Sequence, residues 1–345
     1  MSKENSTEKK LMVGGQAVIE GVMMRSPEMV AVACRRADNS IIVWRKAYQS
    51  LLHRYKFLSL PIFRGSIVLI EALVLGVQAL TFSGDVAMAD EHASTGAQRP
   101  GQSTGAQRPG QRTTGQKIWM GLTLAFAFAI GLGIFFYVPL LLTDWLGART
   151  GPEGPFSGFW FNLVDGIIRL IFFLGYLSLI TQMKDIRRVF EYHGAEHKSI
   201  FNFEEKKDLL PETAATFTRF HPRCGTSFLL IVMLVSIFVF MALGRPETVA
   251  DRLLRLAFIP VIGGISYEFI RLSDKGYRNS FWRLFILPGL WLQRLTTKEP
   301  DLSQLEVAIV SLKAALGEDV TLLPNVVVED GKALVASPSG ELSAA

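Results

Sequence analysis

The chain has 345 residues, 49% of them hydrophobic and only 19% charged, with a net charge of +5. That balance excludes an ordinary water-soluble protein, and because the apolar residues come in runs the chain reads as an integral membrane protein in contact with the lipid bilayer. The basic excess sits in loops with no stripe of interleaved aromatics, which argues against nucleic acid as a partner. Two isolated cysteines, Cys34 and Cys224, exclude a disulfide framework and fit a reducing compartment.

In chain order, Met1 to Lys10 is polar and charged and has no cleavable signal pattern. Residues 29–35 and 41–46 are β-type runs around Ala37-Asp38-Asn39-Ser40, the turn chemistry of a hairpin. Gly14-Gly15 and Gly21 before them read either as flexible loop or as places where backbone approaches a ligand. Residues 57–82 are apolar but carry Arg64 and Glu71, ionisable groups that are costly at bilayer depth. Residues 83–117 hold a tandem repeat, STGAQRPGQ at 94–102 and again at 103–111, and read as a disordered linker.

Four further apolar runs, near 118–143, 159–181, 225–243 and 253–272, are each long enough to cross a hydrocarbon core. The second contains the i,i+4 pair Asp165 and Arg169, and the last ends near Glu268. Beyond them, Phe281 to Trp291 suits an interfacial segment, residues 301–316 a short amphipathic helix, and residues 325–329 a small β segment. Eight Lys and Arg residues lie between 182 and 223, whereas only Arg149 lies in 144–158. By the positive-inside rule both termini and the 182–224 loop are cytoplasmic. Four spans satisfy those demands only if 57–82 is a re-entrant or interfacial hydrophobic helix. The expected fold is therefore mainly α and polytopic, with about four transmembrane helices, one re-entrant or interfacial helix and a small β-hairpin near the N-terminus.

Chemistry concentrates in the 182–224 loop. His193 and His197 are four apart, so on a helix their Cβ atoms lie about 5–6 Å apart on one face. With Glu196 they form the order H-x-x-E-H, in which two histidines bind zinc and the glutamate acts as general base. His221 and Cys224 follow in a Pro- and Gly-shaped turn and complete a candidate metal set of His193, His197, His221 and Cys224. Zinc is the expected ion, since an all-oxygen magnesium site leaves the histidines unexplained. Cys224 is open to three roles: zinc ligand, nucleophile or buried inert thiol. Glu196, Glu268 and Glu71 are candidate catalytic carboxylates, and Glu20, Arg25 and Arg64 candidate substrate contacts.

Five motifs in order, GGQAVIEGVMMR at 14–25, Arg64-Gly65 with Glu71, EYHGAEHK at 191–198, HPRCGTS at 221–227 and Ser266-Tyr267-Glu268, resemble the YqhQ-like family of bacterial membrane proteins. The resemblance covers nearly the whole chain outside the repeat and the ends, and it implies a metal-dependent enzyme. Two function classes follow. One is a zinc-dependent hydrolase acting at the cytoplasmic interface on a peptide or lipid, with the three carboxylates needed for turnover but not for folding. The other is a non-enzymatic carrier or assembly factor with a structural His/Cys site. There is no P-loop, dinucleotide fingerprint or serine nucleophile elbow.

Overall fold

Alternating apolar residues open the described chain and form strands β1 (Gly14–Val18), β2 (Gly21–Arg25), β3 (Met29–Arg35) and β4 (Ile41–Ala47). The computed structural model describes residues 12–95, 114–148, 158–275 and 280–330. The four strands pair in order as an antiparallel meander, and a fifth, β5 (Val326–Asp330), joins β4 in parallel. The expected hairpin is thus β3–β4 within a larger sheet. Gly14 and Gly15, expected in a loop, pair with Arg25 and Met24 instead. The tight β1–β2 turn places Glu20 at φ 51°, a left-handed conformation typical of such hairpins.

The sheet is buried on both faces, because successive residues point opposite ways and both sets are apolar. Val22, Met24, Ala31, Ala33, Ile41 and Val43 face one helical layer; Met23, Val30, Val32, Cys34 and Ile42 face another.

The helices are α1 (Leu51–Arg54), α2 (Phe63–Thr95), α3 (Thr114–Leu132), α4 (Val138–Ala148), α5 (Phe159–Ile180) and α6 (Lys184–Glu204), then α7 (Pro211–Ala215), α8 (Gly225–Leu243), α9 (Val249–Ala257), α10 (Ile259–Lys275), α11 (Ser280–Thr296) and α12 (Leu302–Ala315). α3 runs into α4 through a wide turn at Gly133–Tyr137 just before Pro139, where the ring would otherwise clash with a helical carbonyl. Among the described residues five helical stretches are long and apolar enough to cross a membrane: Phe63–Glu91, Ile118–Gly147, Phe159–Ile180, Gly225–Leu243 and Val249–Ser273. The protein is mainly helical with five candidate membrane-spanning helices and a small sheet.

Two expected boundaries move. Of the hydrophobic segment expected at 57–82, residues from Phe63 onward form one helix that continues to Thr95, so residues 83–95 are not linker; 114–117 likewise open α3, and most of the tandem repeat lies outside the described residues. α2 divides its length between two partners. Near Arg64 it packs on α10, while Leu75, Ala79, Phe82 and Val86 lie under the sheet, each large apolar side chain contributing about 1.5–3 kcal/mol by burial. Arg36 and the backbone N–H of Ala37 then pin Asp90 to the β3–β4 turn at 2.7 and 2.8 Å.

α12, expected as a short amphipathic helix, is buried nearly all round between the sheet, α6 and α7. Its polar residues are bonded inside: Ser311 donates to the carbonyl of Ala31 at 3.2 Å, and Gln304 to Glu191 at 3.0 Å. The fold is therefore a helix–sheet–helix sandwich, α2 on one face and α6 with α12 on the other, set on a bundle of apolar helices.

Candidate metal centre

α6 carries His193 and His197 on one face, with ring centroids 4.5 Å apart. Cys224 caps the N-terminus of α8 and brings its Sγ to 3.3 Å from His193 Nε2. One ligand atom from each of His193, His197 and Cys224 lies within 4.8 Å of the other two. In tetrahedral zinc coordination such atoms are about 3.3–3.8 Å apart, so the donors stand within about 1 Å of a closed set.

Backbone carbonyls aim the two rings. His193 Nδ1 is 2.7 Å from the carbonyl of Thr296, and His197 Nδ1 is 2.5 Å from that of Arg219. A carbonyl only accepts, so each Nδ1 carries the proton and each Nε2 lone pair turns toward Cys224, the arrangement second partners impose on metal-binding imidazoles. Gly194 makes the first contact possible. A Cβ there would stand 2.1 Å from the carbonyl oxygen of Lys298, so only glycine lets the 296–300 segment cross α6 beside His193.

Electrostatics match the geometry. Burial pushes the Cys224 thiol up, but the imidazoles of His193 and His197 outweigh burial and hold it well below its ordinary range. Burial likewise pushes His193 down, yet Cys224, Glu196 and the Thr296 carbonyl raise it to about 9. The helix N-terminus adds to the thiolate's stability. Both shifts favour a thiolate beside a protonated imidazole, and a metal ion would take the place of that proton.

Glu196 Oε2 lies 3.8 Å from His193 Nε2 and 3.7 Å from His197 Nε2. Gly15 of β1 makes room for this carboxylate, since a Cβ there would stand 2.7 Å from Glu196 Cγ. The paired glycines therefore serve the site from the sheet.

His221 is placed differently from the sequence expectation. Its Nδ1 accepts from the backbone N–H of Arg223 at 3.2 Å, which puts its ring proton on Nε2, 3.8 Å from Glu204. That is the opposite tautomer to the other two histidines, and His221 is outside the three-ligand group. Its ring instead packs against His197 and Phe201, with centroids 5.6 and 4.5 Å away. Gln293 clamps its backbone, accepting from the His221 N–H and donating to its carbonyl, both at 2.8 Å.

The other expected site residues gather elsewhere. Glu20 pairs with Arg188 on α6, one helical stretch before His193. Glu268 forms a two-pronged ion pair with Arg64 across α2 and α10. Glu71, on the opposite side of the sheet from α6, accepts from Tyr48 at 2.7 Å, Ser50 at 2.9 Å and the Leu51 N–H at 2.6 Å, with Arg25 3.9 Å away. Arg25 also lies over the Tyr48 ring. Thr226, within the 221–227 motif, lies 3.1 Å from both Cys224 Sγ and Thr296 Oγ1, whereas Thr296 and Arg219, whose carbonyls hold the His193 and His197 rings, belong to no local motif.

No solved structure matches the chain. It is similar to the "Uncharacterized protein YqhQ" of Bacillus subtilis (strain 168), 32% identical over 313 residues, which cover 88% of this chain and 92% of that protein. Residues 60–318 match the family model described as a protein of unknown function, DUF1385, so the chain belongs to the DUF1385 family.

Proposed function

We propose that the protein is a zinc-dependent hydrolase whose centre, His193, His197 and Cys224, stands on the cytoplasmic side of the membrane. The observation that carries this reading is the placement of Glu196 over both Nε2 atoms at 3.7–3.8 Å, beside a three-donor set. Three protein ligands leave a fourth position open, as in catalytic zinc sites. A zinc ion there supplies a water of lowered pKa and a Lewis acid for a carbonyl or phosphoryl oxygen. Glu196 would take up that water's proton at Oε2 and hand it to the leaving group. Cys224 immediately precedes a candidate membrane helix, so a peptide or lipid at the interface is the substrate class that fits.

The same reading places the membrane. The sheet, α6 and α12 are one packed body, so the N-terminal strands and the metal loop lie on one side. α2 then lies along that face, covered over half its length by the sheet, and the other four apolar helices cross. The loop charges put this side in the cytoplasm. A cysteine at position 206 should resist labelling from outside the cell, while one at 247 should label; strong labelling at 206 overturns the orientation.

Metal analysis of purified protein tests the centre itself. Expected are one zinc per chain, loss of it in His193→Ala, His197→Ala and Cys224→Ser, and retention in Glu196→Gln with turnover lost by at least about 10²-fold. The burial of His197 and Cys224 favours a second reading, a closed structural site in a non-enzymatic membrane protein. Glu196→Gln separates the two, because a structural site leaves every property of that variant unchanged.

A further inference from the structure

The helix bundle holds a second charged cluster that the metal centre does not touch. Arg169 of α5 donates through Nη2 to Asp165 Oδ2 at 2.8 Å, and Arg255 of α9 approaches the same oxygen at 3.9 Å. Arg255 also donates to Asn162 at 2.6 Å and to the carbonyl of Gly244 at 2.5 Å. All three charged side chains are at least 94% buried. Two guanidinium groups, which keep their protons in proteins, thus share one carboxylate. The next acids among the described residues are Asp251, which accepts from the backbone N–H groups of Glu247 and Thr248 at 3.1 and 2.8 Å, and Asp144, engaged by Arg245 and Arg252 at 3.2 and 3.7 Å. Arg169 Nε and Arg255 Nη1 have no hydrogen-bond partner among the described residues. The rings of Phe136 and Phe240, about 5 Å from Arg169 Cζ, spread its charge but accept no strong hydrogen bond.

Beside Arg169 opens a cavity of about 520 Å³ between α3, α5, α8 and α10, walled by Phe136, Val232, Phe240 and Ile262, among other apolar residues. Arg169 is the charged group in that wall. The volume falls in the range of small-molecule sites. Arg169 lies ten residues into α5, about 15 Å from its start, and so well below the layer where phospholipid phosphates sit.

We propose that this cavity binds a single-chain lipid carrying a carboxylate, a long-chain fatty acid anion, with its head on Arg169 and its chain along the phenylalanine wall. The anion supplies negative charge to the Arg169 guanidinium at the cavity wall; burial of the chain drives entry. A neutral chain leaves the second guanidinium uncompensated, and an inorganic anion leaves the apolar walls unfilled. The proposal is independent of the metal reading, because none of its residues belongs to the His/Cys set.

Radiolabelled oleate binding to the full-length protein in phosphatidylcholine nanodiscs tests it. Expected is saturable binding of one oleate per chain, with competition by palmitate and at least tenfold weaker competition by oleyl alcohol. Arg169→Gln should lower affinity at least tenfold. Should that variant unfold through its orphaned Asp165, Gly131→Phe decides: Gly131 lines the cavity, a Cβ there meets nothing within 4 Å, and the substitution fills the space without touching the ion cluster. It too should weaken binding at least tenfold while thermal stability holds. Absent saturable binding, full competition by oleyl alcohol or by inorganic phosphate, or oleate affinity unchanged by Gly131→Phe would each overturn the assignment.

Discussion

Glu196 and Glu71 are equally buried carboxylates, 7% and 8% exposed, on opposite sides of one small sheet. Glu71 is saturated: a phenol, a serine hydroxyl and a backbone N–H donate to it, and a guanidinium stands beside it. Glu196 faces two imidazole nitrogens at 3.7–3.8 Å, and no described residue donates a hydrogen bond to it. The difference lies in the donors, not in burial or charge. Glu71 with its donors ties residues 48–51 to α2, whereas Glu196 meets no described donor, as its proposed role in catalysis requires.

Removing each carboxylate should break the comparison most sharply. Glu71→Ala orphans three donors and Arg25, so we expect about 3–5 kcal/mol of destabilisation with zinc content per folded chain unchanged. Denaturant unfolding measures it, and a loss below about 1 kcal/mol would show that the Glu71 network is ornamental. Next in size is Gly194→Ala. Its Cβ meets the Lys298 carbonyl, so the 296–300 segment must shift at a cost of about 1–3 kcal/mol. The shift withdraws the Thr296 carbonyl from His193, and zinc affinity should fall about 10–100-fold, which competition with a chelator reads directly.

Smaller effects sharpen the contrast. Tyr48→Phe deletes one of the donors to Glu71 and should cost about 0.5–1.5 kcal/mol, whereas a cost near that of Glu71→Ala would mean that the phenol carries the whole network. Glu196→Gln should change stability least, by less than about 1 kcal/mol, since it removes no hydrogen bond; a Tm drop matching Glu71→Ala would make Glu196 structural as well. Cys224 offers a kinetic check with Cys34 replaced by Ser. As a zinc ligand it should resist alkylation until a chelator is added, and rapid modification of the metal-loaded protein would identify it as a nucleophile instead.

The class of the molecule, the apolar helices, the β3–β4 hairpin and the juxtaposition of His193 with His197 are all legible along the chain, because each depends on spacing within a short stretch. Hydrophobic runs, turn residues and i,i+4 pairs are local quantities. Which of the candidate donors meet was decided only in three dimensions. His221 and Cys224 stand three residues apart, yet Cys224 turns to the histidine pair while the Arg223 N–H fixes His221 in the other tautomer. The same holds for the carboxylates, since Glu71 is legible as a costly buried acid but its donors come from 48–51, and Glu196 owes its space to Gly15 of a strand far away in sequence. α2 shows the limit most plainly. Its hydropathy is that of a membrane span, and only the sheet packed along Leu75, Ala79, Phe82 and Val86 reveals that one side of it is covered by protein, because composition records how apolar a surface is and not what covers it.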